Sequence, residues 1–181
     1  GKVRVEIGFF SVQRDLMNTW ERGVGTLEGR LTLAKSLARA GADVAAIIGP
    51  LIPMTNEGQR DLDELGRRLE RAGLMTWIPT WITYAPELIQ QIQLDISRSQ
   101  ARMIQGWLQM KRTGRRSTPQ IPENIKRRIL SRLHESADSR GAQLIVCRCT
   151  SSLGRGRCIQ GPKLRQSATT QLDLFALGEA S

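Results

Sequence analysis

The chain has 181 residues, 40% of them hydrophobic, with 27 Lys and Arg against 17 Asp and Glu, for a net charge of +10. That is enough chain for one domain, or a piece of one, with a sizeable core, and no apolar run reaches the roughly 18 residues that a membrane span needs. No secretory signal is visible, so three cysteines fit a reducing, cytoplasmic setting.

The first predicted element is a strand in KVRVEIGFFSVQ, residues 2–13, where Val3, Val5, Ile7 and Phe9 alternate. Thr26 is placed to cap a helix with Leu27, Leu31, Ala34, Leu37 and Ala38 on one face, and Gly41 to end it. Val44–Ile48 is a strand without a polar residue, as expected where both faces are covered. It meets Gly49-Pro50, and Thr55 or Asn56 is expected to cap the following helix. That helix carries Leu62, Leu65, Leu69 and Ala72 and stops at Gly73. LMTWIPTW, residues 74–81, is a third strand, and Pro86 opens a long helix with Ile89, Ile92 and Ile96 on its apolar face. Alternating strands and helices are the pattern of parallel βα units. Three such strands cannot close a barrel. The chain therefore reads as the later part of a larger α/β domain that begins before Gly1. The alternative is a small domain completed by QLIVC, residues 143–147.

In parallel α/β folds, ligands lie beyond the carboxyl ends of the strands. Here those ends are FSVQR, IGPLIP and WIPTW. Gly49 allows close approach to the backbone, Pro50, Pro53 and Pro79 stiffen the rim, and Ser11, Gln13 and Thr80 supply polar anchors. Such a rim suits a flat heterocycle. The same residues also serve as simple turns into loops.

The segment from VRVEIGFFSVQ through WERGVGTLEGRLTLAKSLARAGADVAAIIGPLIPMTNE to LDELGRRLERAGLMTWIP resembles the second half of a radical S-adenosylmethionine barrel. The group it is similar to is the one related to spore photoproduct lyase, and the likeness covers about residues 3–80. The resemblance implies an α/β fold, the later half of a partial (β/α) barrel with parallel strands, over residues 1–110. It implies S-adenosylmethionine beside a 4Fe–4S cluster, with lyase-like chemistry and DNA repair as the setting. Carried over, Ser11 and Gln13 would touch the ribose or carboxylate. Ile48, Gly49 and Pro50 would line the adenine site, and Ile78 and Thr80 would complete it. The family's CxxxCxxC motif does not occur here, so either the half that carries it precedes Gly1 or the chain has lost that chemistry.

The last third carries the charge. Residues 1–110 hold 13 Lys and Arg against 12 Asp and Glu, and residues 111–181 hold 14 against 5. A basic segment on a neutral body points to nucleic acid, and a solvated basic tail accounts for it equally. Residues 111–122 read as a basic linker. Residues 123–160 read as a helical, Cys-containing extension, and 161–181 as a flexible tail. Pro122 opens a helix with Ile125, Ile129, Leu130 and Leu133 inward and Lys126, Arg127, Arg128 and Arg132 elsewhere. His134, the only histidine, reads as a surface residue. Cys147, Cys149 and Cys158 could hold a metal or auxiliary iron–sulfur cluster, remain reduced, or pair as a disulfide. Gln171–Phe175, QLDLF, resembles the short peptide by which bacterial DNA repair proteins bind the sliding clamp. Two functions follow: a portion of a radical enzyme that is catalytically incomplete on its own, or a non-catalytic nucleic-acid module that binds the clamp.

Overall fold

Four strands pair in parallel and in the order of the chain: β1 (Arg4–Phe9), β2 (Asp43–Leu51), β3 (Thr76–Trp81) and β4 (Gln143–Leu144). The computed structural model describes residues 4–82, 102 and 121–147. Phe9 stands opposite Ile48, Ile47 opposite Ile78, and Thr76 opposite Gln143. Among the described residues the sheet is accompanied by α1 (Arg14–Trp20), α2 (Leu27–Arg39), α3 (Gln59–Arg71) and α4 (Glu123–Asp138).

The strand pleat sorts the side chains. Val5, Ile7, Phe9, Val44, Ala46, Ile48 and Trp77 point to one side and share a core with Leu27 and Leu31 of α2, Leu62, Leu65 and Leu69 of α3, and Ile129 and Leu133 of α4. Three helices on one face follow from a sheet that always advances in the same direction with crossovers of one hand. Burying each large side chain contributes about 1.5–3 kcal/mol, so this single layer supplies most of the stability. The other face carries the small residues Gly8, Ala45 and Gly49 together with Ile47 and Ile78.

The helix ends follow local chemistry. Thr26 Oγ1 accepts a hydrogen bond from the Gly29 amide at 3.1 Å, as its sequence position predicts. Gly41 and Gly73 take φ of +88° and +74°, ending α2 and α3. Gly66 permits a close approach within α3. A Cβ there would stand 2.8 Å from Trp77 Cη2 and 2.9 Å from Ser136 Oγ. Arg140, just beyond α4, donates to the Ser136 carbonyl at 2.7 Å and the Asp63 carbonyl at 3.3 Å, fastening α4 to α3.

Several expectations need correction. The first strand ends at Phe9, and Arg14–Trp20 turn into a short helix with no buried residue, which explains why no apolar periodicity announces it. The helix after β2 is capped by Gly58 without a side-chain bond, because Asn56 is engaged elsewhere. Residues 123–147, read as an extension, continue the sheet: α4 packs on the common core, and Gln143 and Ile145 donate backbone hydrogen bonds to Met75 and Trp77. The strand at 143–147 belongs to the sheet, but only Gln143–Leu144 of it are extended. Apart from Arg102, which is helical, the helix expected after Pro86 lies outside the described residues, as does most of the linker at 111–122.

Candidate functional site

The carboxyl end of β2 is the centre of the candidate rim. β2 does not stop at Ile48. It continues to Leu51 through an irregular step, with Ile48 opposite Pro79 and Leu51 opposite Trp81. Neither Pro50 nor Pro79 has an amide hydrogen, so the ladder is interrupted in this stretch. Gly49 takes φ +139° and precedes a cis bond to Pro50. A Cβ on Gly49 would lie 2.6 Å from Thr80 Oγ1 and 2.7 Å from the Thr80 carbonyl. The space that glycine frees is thus filled by the neighbouring strand.

Asn56 knits this rim together, a role beyond the helix cap that its sequence position suggests. It is buried, its Oδ1 accepts from the Ile52 amide at 2.8 Å, and its Nδ2 donates to the carbonyls of Phe10 at 2.9 Å and Pro50 at 3.0 Å. One side chain thereby satisfies a donor and two acceptors and joins the ends of β1 and β2. Its neighbour Glu57, also buried, pairs with Arg132 of α4, which further donates to the Glu57 carbonyl at 3.2 Å. The sequence signal for both residues is the polar TNEG after an apolar strand.

Ser11 is buried, and its Oγ accepts from the Gln13 amide at 3.0 Å. Gln13 is exposed and donates through Nε2 to Asp61 of α3. Ile48 lies in the helix-side core and faces away from the small-residue face, whereas Ile78, also buried, lies on that face in register with Ile47. Pro50 is exposed and Thr80 half-buried. Gly49, Pro50 and Thr80 are therefore brought together, Ser11 adjoins them through Phe10 and Asn56, and Ile48 supports them from behind.

At the end of β3 two further residues appear. Lys126 of α4 is only 3% exposed, pairs with Glu123 at 3.0 Å and holds its ammonium 5.9 Å from the centre of the Trp81 ring. The sequence places Lys126 away from the core, yet its stem and charge are buried against Trp81. Trp81 Nε1 is a buried donor with no hydrogen-bond partner among the described residues. Away from the rim, α2 and α3 are tied by Arg68, which bonds Glu64 at 2.8 Å and Glu28 at 2.6 Å. The hydrogen bond from Arg68, with Arg67 and Arg71 nearby, holds the Glu64 carboxyl below its usual range against the opposing effect of burial.

No protein-family model matches the chain, and no curated protein matches its sequence.

At this rim Pro50 and Gln13 are exposed, Thr80 is half-buried and Ile78 is buried. Among the described residues no group of three His, Cys, Asp or Glu could hold a metal. Cys147 is buried and takes part in a disulfide. A disulfide sulfur is not a thiolate ligand, so metal binding at Cys147 requires reduction. Cys149, Cys158 and Gln171–Phe175 lie outside the described residues. No helix among the described residues is long and apolar enough to cross a membrane.

Proposed function

We propose that this chain forms the later part of the wall of a radical S-adenosylmethionine barrel of lyase-like type, with the carboxyl ends of β1, β2 and β3 holding the adenosyl portion of the cofactor. The observation that carries the reading is the all-parallel strand order β1-β2-β3-β4, with α2, α3 and α4 sharing one core on one face. A doubly wound sheet reverses its order at a switch point and has helices on both faces. A sheet that only advances is built like a segment of barrel wall. The rim motifs and the resemblance over residues 3–80 add to it.

In this reading Thr80 and Gln13 hold the sugar and polar tail, and Pro50 flanks the base, with the buried Ile78 supporting the rim. Ser11 and Asn56 set the position of the rim from beneath. If bound, S-adenosylmethionine would supply radical chemistry there. The residues described here bind and orient it and keep one side of it from water.

Calorimetric titration with S-adenosylmethionine tests this. The expected result is saturable binding that Thr80→Val weakens several-fold while leaving thermal stability unchanged. Absence of saturable binding, or binding indifferent to both Thr80→Val and Gln13→Ala, overturns it.

A further inference from the structure

We propose that the outer face of α4, together with the start of α3, is a docking groove for one strand of a nucleic-acid phosphate backbone. An open groove of about 620 Å³ runs along this face, lined by Arg127, Arg128 and Arg132, with Asn124, Ser131 and Gln59 between them. On α4 these residues fall as Asn124, the pair Arg127 and Arg128, and the pair Ser131 and Arg132, so successive groups are three or four residues apart, about one turn or 5.4 Å, on one side of the helix. Three guanidinium groups in a row with neutral hydrogen-bonding side chains between them match a chain of phosphates, to which Arg, Asn, Gln and Ser all donate.

The opposing charges are few and placed at the margins. Glu135 closes one end of the groove, where Ser131 donates to it at 3.4 Å. Glu57 is buried behind the groove and steadies it. It pairs with Arg132 and stands 3.9 Å from Arg128. That pairing pre-orders two of the cations, so less side-chain freedom is lost on binding. Arg127 has no carboxylate partner among the described residues and is exposed.

Position gives the groove its meaning. Gln59 opens α3 and Asn124 lies in the first turn of α4. Both helices start at the carboxyl end of the sheet, the end that carries the rim of Gly49, Pro50 and Thr80. A strand held along α4 therefore passes beside that rim. The proposal stands on charge and geometry alone and needs no cofactor, so it fails or survives separately from the barrel reading.

The test is fluorescence anisotropy of a labelled single-stranded DNA oligonucleotide titrated with the full chain, between about 50 and 200 mM salt. The double variant Arg127→Gln, Arg128→Gln is compared with Lys35→Gln, Arg39→Gln on α2, which removes the same charge from exposed positions away from the groove. Both pairs are exposed and outside the core, and circular dichroism checks that each variant is folded. The α4 pair is expected to weaken binding about tenfold at low salt and to flatten the log–log salt slope by about 1.4, at about 0.7 for each phosphate no longer neutralised. The α2 pair is expected to leave that slope nearly unchanged. Equal behaviour of the two double variants, whether both weaken binding or neither does, overturns the proposal, because the attraction then belongs to net charge or to another part of the chain and not to this groove.

Discussion

Replacing Asn56 by Ala should be among the most damaging single changes in this protein. The side chain makes three hydrogen bonds, at 2.8, 2.9 and 3.0 Å, in a site that is 2% exposed. Alanine leaves the Ile52 amide and the carbonyls of Phe10 and Pro50 without that partner. Each orphaned buried group costs about 1–3 kcal/mol, so the loss is at least about 3 kcal/mol. For a domain of this size that lowers the melting temperature by about 6–12 °C. Asn56→Asp provides the control. An ionised carboxylate still accepts from Ile52 but opposes two carbonyl oxygens, and the protonated form can donate to one of them. Its folded-state pKa is therefore raised above the ordinary aspartate value of about 3.9. A carboxyl raised in the folded state destabilises increasingly above its unfolded pKa, so Asn56→Asp should be closest to wild type in acid and worst at neutral pH. Urea denaturation at several pH values measures both variants. A cost below about 1 kcal/mol for Asn56→Ala, or a pH-independent deficit for Asn56→Asp, refutes the claim that this side chain joins β1 to β2.

Three further outcomes are expected. Gly66→Ala should destabilise by about 2 kcal/mol despite the better helix propensity of alanine, because its Cβ would meet Trp77 Cη2 at 2.8 Å, and thermal melting reads this directly. Glu123→Ala should cost more in urea denaturation than Lys126→Met, since the first removes the carboxylate paired with a buried ammonium while the second removes the charge itself. Glu64→Gln should cost only about 0.5 kcal/mol at neutral pH, as expected for a largely solvated pair. Because the Glu64 pKa is depressed, its stabilisation is present above the ordinary glutamate range and lost as pH falls through the folded value, so the difference from wild type should vanish in acid.

How much of the fold and rim is legible in the sequence depends on which physical signal each residue sends. Helical spacing of Leu27, Leu31 and Ala34, and of Leu62, Leu65 and Leu69, reports burial on one face, and those faces are buried as the spacing implies. Gly41 and Gly73 announce helix ends because few other residues tolerate the required φ. The Gly49-Pro50 step is visible as a strand end, but its partner is not. Only the structure places Thr80 where a Gly49 side chain would be. Asn56 looks like a helix-capping residue because local sequence says nothing about Phe10, 46 positions away, and nothing near Glu57 announces Arg132, 75 positions away. Lys126 looks solvent-facing for the same reason, since the Trp81 ring that covers it lies on another element. Long-range polar contacts leave no periodic trace, whereas apolar faces do.

Whether the carboxyl ends of β1, β2 and β3 form a nucleoside-binding rim is tested most directly by backbone amide chemical shifts of the isotopically labelled chain, followed residue by residue during titration with S-adenosylhomocysteine. Saturable shifts grouped at Ser11, Gly49 and Thr80, with Arg4, Asp43 and Thr76 at the opposite strand ends unmoved, are the predicted result. Shifts that fail to saturate, or that gather at those opposite ends, contradict it.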